Sequence, residues 1–117
     1  MTQNKESTKW FSERQELAVA RAIGGRRTVM SGAAKFSKGD VVTNDWLIEC
    51  KTQVKEKESF SIKKEWLKKA TEEAFAMNKS HVALAFNFGG EEKHNYFVIN
   101  EQQFKLLKDL YSEKFSN

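Results

Sequence analysis

Asp40-Val41-Val42-Thr43-Asn44-Asp45-Trp46-Leu47-Ile48-Glu49-Cys50-Lys51 has the composition of a β-hairpin. Two β-rich runs flank Asn44-Asp45, residue types that tolerate the positive φ of a tight two-residue turn. That turn sets Thr43 opposite Trp46, Val42 opposite Leu47, Val41 opposite Ile48 and Asp40 opposite Glu49. Side chains alternate along a strand, so Glu49 and Lys51 share a face, while Trp46, Ile48 and Cys50 pack on the other. Asp40 and Glu49 then face each other with Cβ atoms about 4.5–5.5 Å apart. Two opposed carboxylates destabilise a sheet unless positive charge lies between them. Lys51, one pleat along, supplies one such charge. A divalent ion would supply the rest, since Mg²⁺ prefers carboxylate oxygen and keeps waters for substrate phosphates. The plainer alternative leaves Asp40 in solvent and makes Glu49–Lys51 a surface ion pair of little energetic weight. Leu47 on the charged face favours the first reading, because it implies a half-buried cleft.

N-terminal to the hairpin, residues 1–7 are expected to be a flexible lead. A helix is expected to begin between Thr8 and Ser12, with Ser12 and Gln15 as a capping box and Gly24-Gly25 as its stop. Trp10, Leu17, Ala20 and Ile23 recur at helical spacing and are expected on its core face. A short strand at Thr28–Met30 and a small-residue loop from Ser31 to Gly39 follow.

C-terminal to it, Ser61 can cap a helix over about 62–77, with Ile62, Trp66, Ala70, Ala74 and Met77 inward and Asn78 at its end. His81 to Phe88 alternates large and small residues, the pattern of a central strand with a helix pressed on its small-residue face. Gly89-Gly90-Glu91-Glu92 turns the chain into a strand at Tyr96–Ile99. Asn100 with Gln103 caps a last helix, with Phe104, Leu107, Leu110 and Tyr111 as its expected buried stripe. The element order is α-β-β-β-α-β-β-α, an α/β chain with a central mixed sheet flanked by helices.

The 117 residues carry 20 Lys+Arg against 16 Asp+Glu, with nine Phe, three Trp and two Tyr. That length suits a single domain spanning 1–117, and the aromatic content argues against a disordered basic tail. Residues 21–69 hold twelve basic and six acidic side chains, while 70–117 hold five and seven. A basic middle with an acidic end suits a phosphate-backbone partner. No apolar run reaches the roughly 18–20 residues of a membrane span. The polar start MTQNKEST lacks the apolar core of an export signal, and the lone Cys50 suits a reducing compartment. The expected location is the cytoplasm of a bacterium, an archaeon or a phage-infected host.

Gly39-Asp40, followed by Glu49-Cys50-Lys51, resembles the PD-(D/E)XK, or restriction-endonuclease-like, nuclease superfamily. A glutamate-bearing first helix, Ser31-Gly32 and Lys38-Gly39-Asp40 make it most similar to the Holliday-junction-resolvase branch and related phage nucleases. Gly39 stands where the family's pattern has proline. The resemblance implies a restriction-endonuclease-like three-layer fold and a metal-dependent phosphodiesterase acting on branched DNA as a homodimer. It implies that Asp40, Glu49 and the Cys50 backbone carbonyl hold Mg²⁺, with Mn²⁺ as the alternative ion. Lys51 would orient or help deprotonate the attacking water, and Ser31 would lie near the scissile phosphate. The family's helix ligand would be Glu16, nearer the helix middle, or else Glu13.

Arg26, Arg27, Lys35, Lys38, Lys63 and Lys64 are the candidate phosphate contacts, guiding a duplex without reading its bases. Their alternative is an ordinary solvated face, as it is for Lys68 and Lys69. His81 and His94 have no second His or Cys at metal-ligand spacing, and no P-loop string is present, so zinc and nucleotide cofactors are not expected. A nuclease on linear or flapped DNA and a non-catalytic nucleic-acid-binding module are the alternatives. The module has no use for two facing acids, which would repel bound phosphates unless metal lay between them.

Overall fold

In the computed structural model, described for residues 3–28, 40–90 and 94–116, the elements follow that order: α1 (Gln3–Ile23), β1 (Arg26–Arg27), β2 (Asp40–Val42), β3 (Trp46–Lys51), α2 (Lys64–Ala76), β4 (His81–Phe86), β5 (Tyr96–Val98) and α3 (Glu101–Phe115). The five strands form one mixed sheet in the order β1-β2-β3-β4-β5, with only the β3–β4 pair parallel. The long connection through α2 makes that parallel step, since antiparallel neighbours need only a tight turn.

The hairpin register is as read: Asp40 pairs with Glu49, Val41 with Ile48 and Val42 with Leu47. Its turn works differently. Asn78 is the only described non-glycine residue with positive φ, so Asn44-Asp45 does not use that conformation. Instead the Thr43 hydroxyl accepts from the Asp45 and Trp46 amides at 3.2 and 2.9 Å. Lys79 Nζ donates to the Thr43 and Asn44 carbonyls, tying the turn to the end of α2.

The sheet's two faces carry different layers. Val41, Ile48, Ala83 and Ala85 pack with Val19 and Ala20 of α1. Val42 and Leu47 pack with Ala70 and Ala74 of α2, with Met77 and Val82 alongside. The alanines of β4 let α1 sit close, as the alternation of that strand implied. By strand alternation, Asp40, Glu49 and Lys51 project on the α2 face.

Helix α1 begins at Gln3, inside the segment expected to be flexible, and Ser12 lies within it rather than at its cap. Trp10 and Leu17 are exposed, and the buried positions are Gln15, Glu16, Val19 and Ala20. The Gln15 amide donates to the Lys51 and Ala85 carbonyls and to Asn95 Oδ1, clamping the helix across the strand ends. An apolar-stripe reading misses a buried amide whose partners are backbone oxygens far along the chain. Gly24 takes φ 69° and Gly25 N–H bonds the Ala20 carbonyl, so the glycine pair is the expected stop.

Strand β1 lies at Arg26–Arg27, and Thr28 is outside it; positions 29–39, with the rest of the expected strand and the Ser-Gly loop, fall outside the described residues. Helix α2 is N-capped at Lys63 without a side-chain bond, so Ser61 is not its cap, and Ile62 lies outside it and exposed. Asn78, at φ 59°, closes that helix in the left-handed conformation. Strand β4 stops at Phe86 and β5 at Val98, each short of the expected run.

Asn100 caps α3 as expected, its Oδ1 accepting from the Gln103 amide at 2.9 Å. The Gln103 side chain does not return to the cap. It donates to the Val82 carbonyl at 2.7 Å and accepts from the Val82 amide at 2.8 Å, extending the ladder after β5 has ended. Gln103 is the buried residue of α3, while Phe104, Leu107, Leu110 and Tyr111 are exposed, contrary to the expected stripe. Among the described residues, no helix is long and apolar enough to cross a membrane.

Candidate metal centre

Pairing β2 with β3 puts Asp40 beside Glu49, and packing α2 over that face adds a third acid. Carboxylate oxygens of Asp40, Glu49 and Glu73 all lie within 4.8 Å of one another. Asp40 is 1% exposed, and neither of its oxygens has a hydrogen-bond partner. Glu73 is buried, with its Oε1 unpartnered. Lys51 Nζ lies 3.2 Å from Glu49 Oε2 and 4.5 Å from the centre of the Trp66 ring. The ammonium is therefore held between a carboxylate and an aromatic face.

Unit charges this close repel by roughly 3 kcal/mol per pair at an effective dielectric near 20. Three ionised acids would offset much of a typical ~5–15 kcal/mol folding stability, and Lys51 supplies one counter-charge. Protons or a cation must make up the difference. Burial first, then Glu49 and Glu73, pushes the Asp40 carboxyl up to about 10. Burial likewise raises Glu73, with Glu49 adding to it, while the neighbouring Asp40 carboxyl and the charges of Lys69 and Lys51 act against the rise. In the metal-free state a proton on Asp40 can thus be donated to Glu49 or Glu73, giving the cluster hydrogen bonds that three carboxylates lack.

The donor set fits a hard divalent cation. It is all oxygen, and two of its acids are buried with unpaired oxygens that such an ion would satisfy. No thiolate or imidazole belongs to the cluster. Cys50 projects to the other face, against the α1 core, where burial, helped by nearby Glu16, raises its thiol pKa.

Of the sequence-derived site residues, Asp40, Glu49 and Lys51 come together. Glu16 does not join them. It bonds Arg27 Nε at 2.9 Å on the α1 face, because Arg27 is paired with Val41 and points the same way. Glu13 is also absent from the cluster. The helix carboxylate beside Asp40 and Glu49 is Glu73, from α2. The sequence held a signal for it: Trp66, Ala70, Glu73 and Met77 recur at four, three and four residues, placing one acid within an apolar stripe. Arg27 is engaged by Glu16, Arg26 is exposed, and Lys63 and Lys64 are exposed at the start of α2. Lys63 Nζ approaches the Trp66 ring at 5.7 Å. Ser31, Lys35 and Lys38 lie outside the described residues.

Comparison with known protein families, curated proteins and solved structures finds no match for this chain.

Proposed function

We propose that this chain is a Mg²⁺-dependent endodeoxyribonuclease of restriction-endonuclease-like fold that hydrolyses phosphodiester bonds in branched DNA. The observation that carries the proposal is Asp40, buried with two unpartnered oxygens against Glu49 and Glu73 and with Lys51 alongside. The α-β-β-β-α order, with helices on opposite faces of a mixed sheet, supports the same reading, as does the basic middle of the chain.

Asp40, Glu49 and Glu73 would hold the cation, with the Cys50 carbonyl adjoining Glu49 on the backbone. A bound Mg²⁺ ion lowers the pKa of water and stabilises charge on phosphate and leaving oxygens. Lys51 orients the attacking water and offsets the charge that builds on the phosphoryl oxygens. Water oxygen forms the new bond to phosphorus as the bond to the leaving sugar oxygen breaks, and that oxygen takes up a proton. Trp66 keeps the Lys51 ammonium at the cluster through its ring face. Lys63 at the N-cap of α2, with Lys64 and Lys69 on that helix, would meet the DNA backbone without selecting a base.

The direct test incubates the protein with four-way junction, linear duplex and single-stranded DNA, in Mg²⁺ or EDTA. Cleavage of the junction that needs the metal and disappears in Asp40→Asn and Glu49→Gln supports the proposal. Tight binding without cleavage in Mg²⁺ or Mn²⁺ would sink it in favour of a binding module.

A further inference from the structure

The sheet register carries the carboxylate face on into a row of aromatic rings. Lys51 of β3 is the parallel partner of Phe86 in β4, and Phe86 is the antiparallel partner of Tyr96 in β5. Paired residues project to the same face, so Lys51, Phe86 and Tyr96 form one row, a single pleat beyond Glu49. Three more rings join it. Phe60 stacks on Phe86 with ring centres 4.8 Å apart and lies 6.1 Å from Trp66. Phe88 meets Phe86 and Tyr96 edge-on, each at 5.5 Å. None of the five rings is buried, although Leu84 and Ala85, next to Phe86 in β4, are wholly so. Tyr96, at the end of the row, is 45% exposed. Lysines flank the rings at both ends. Lys51 and Lys63 approach the Trp66 face, and the Lys57 amide donates to the Phe88 carbonyl at 2.8 Å.

We propose that this row is a stacking platform for unpaired bases of a DNA strand whose phosphate lies at the acidic cluster. The proposal rests on the nuclease reading and deepens it: the branched DNA is presented as a strand unpaired beside the scissile phosphate. Rings in contact yet open to solvent, set among cations, are what a single strand requires, since the rings take base faces and the lysines take phosphates. A fully paired duplex keeps its base faces inside its own stack and has no use for them. A protein partner is the poorer fit, because charged residues are depleted at the centre of protein interfaces. The spacing also suits one strand. Two strand separations, roughly 10 Å, lie between Lys51 and Tyr96. A base on Tyr96 therefore belongs to a nucleotide close to a phosphate held at Lys51.

Fluorescence anisotropy in Ca²⁺, which takes the same kind of oxygen ligands as Mg²⁺, reads the binding. Three DNAs are compared: a blunt duplex, the same duplex with a single-stranded arm, and that duplex with an arm of abasic sugars. The wild type is expected to bind the natural arm at least about tenfold tighter than the blunt duplex, and the abasic arm should lose that advantage. Tyr96→Leu keeps apolar bulk without a ring and should lose about tenfold on the natural arm alone, while Tyr96→Phe should retain the wild-type preference. An abasic arm bound as tightly as the natural one would mean that only phosphates are read, and overturns the inference. So does a full preference for the natural arm in Tyr96→Leu. Cleavage in Mg²⁺ is scored separately. Base-dependent binding with no cleavage of any DNA would support the stacking platform and overturn the nuclease reading; metal-dependent cleavage with no preference for the natural arm would do the reverse.

Discussion

Asp40 of β2 and Glu73 of α2 meet carboxylate to carboxylate, their oxygens within 4.8 Å, at the point where the second helix crosses the hairpin. Two buried acids in contact are a cost to the fold, and they are tolerable only with a proton or a cation between them. The contact joins an acid legible in the hairpin to one that packing alone brings into place. The following expectations rest on it and on its neighbours.

Glu73→Gln is expected to weaken Mg²⁺ or Mn²⁺ binding at least about tenfold, the scale on which metal sites respond to altered surroundings. Calorimetric titration with Mn²⁺ would read it. Glu16→Gln should leave that affinity unchanged and instead cost about 1 kcal/mol of stability through the lost bond to Arg27. The opposite ranking of the two variants would return the helix ligand to α1.

The pH dependence of the metal-free protein has a definite sign. Asp40 titrates near 3.8 when unfolded and near 10 when folded, so the folded chain holds the extra proton across that interval. Its contribution to stability is complete below the unfolded value and is lost as pH rises through the folded one. The melting temperature without metal should therefore fall between about pH 5 and pH 9, and Asp40→Asn should flatten the fall. Mg²⁺ replaces the proton, so its stabilising effect should grow over the same range. A thermal scan series with and without Mg²⁺ in which the metal effect is independent of pH would contradict this.

Lys51→Met is expected to abolish cleavage while leaving Mn²⁺ affinity within a few-fold of wild type, since the ammonium is not a ligand. Trp66→Leu removes only the ring that holds that ammonium. A cation–π contact contributes about 0.5–2 kcal/mol, so kcat should drop roughly tenfold with KM little changed. Single-turnover rates on junction DNA would separate the two. Equal losses in both variants would mean that Trp66 does more than position the lysine.

Gln103→Ala should lower stability by about 2–3 kcal/mol, because it strips both partners from the Val82 amide and carbonyl at the open edge of β4. Denaturant unfolding would measure it, and hydrogen exchange should show the Val82 amide losing protection first. Gln103→Glu keeps an acceptor for the Val82 amide and loses the donor, so it should fall between the wild type and the alanine variant.

Much of the fold was legible because short-range chemistry governs it. The hairpin register from Asp40–Glu49 to Val42–Leu47 follows from one turn and strict alternation, and the structure has the same pairs. The stops at Gly24 and Asn78 and the cap at Asn100 depend on a few adjacent residues, and all three hold. Helices α1 and α3 depart from their expected buried stripes for a common reason. Periodicity marks which residues of a helix are apolar, but not whether anything lies opposite them. In α1 the inward residues include Gln15 and Glu16, whose partners are strand carbonyls and Arg27. In α3 the apolar stripe is left exposed by the described residues.

The sequence by itself determined the element order, the hairpin and the juxtaposition of Asp40, Glu49 and Lys51, because each depends on residues a few positions apart. Tertiary structure alone decided which helix completes the acidic cluster. Glu16 and Glu73 are both helix glutamates near apolar neighbours. The sheet has two faces, and the α1 carboxylate lies on the face turned away from Asp40. Which helix covers which face depends on contacts between residues far apart in the chain, and those form only once the layers have packed.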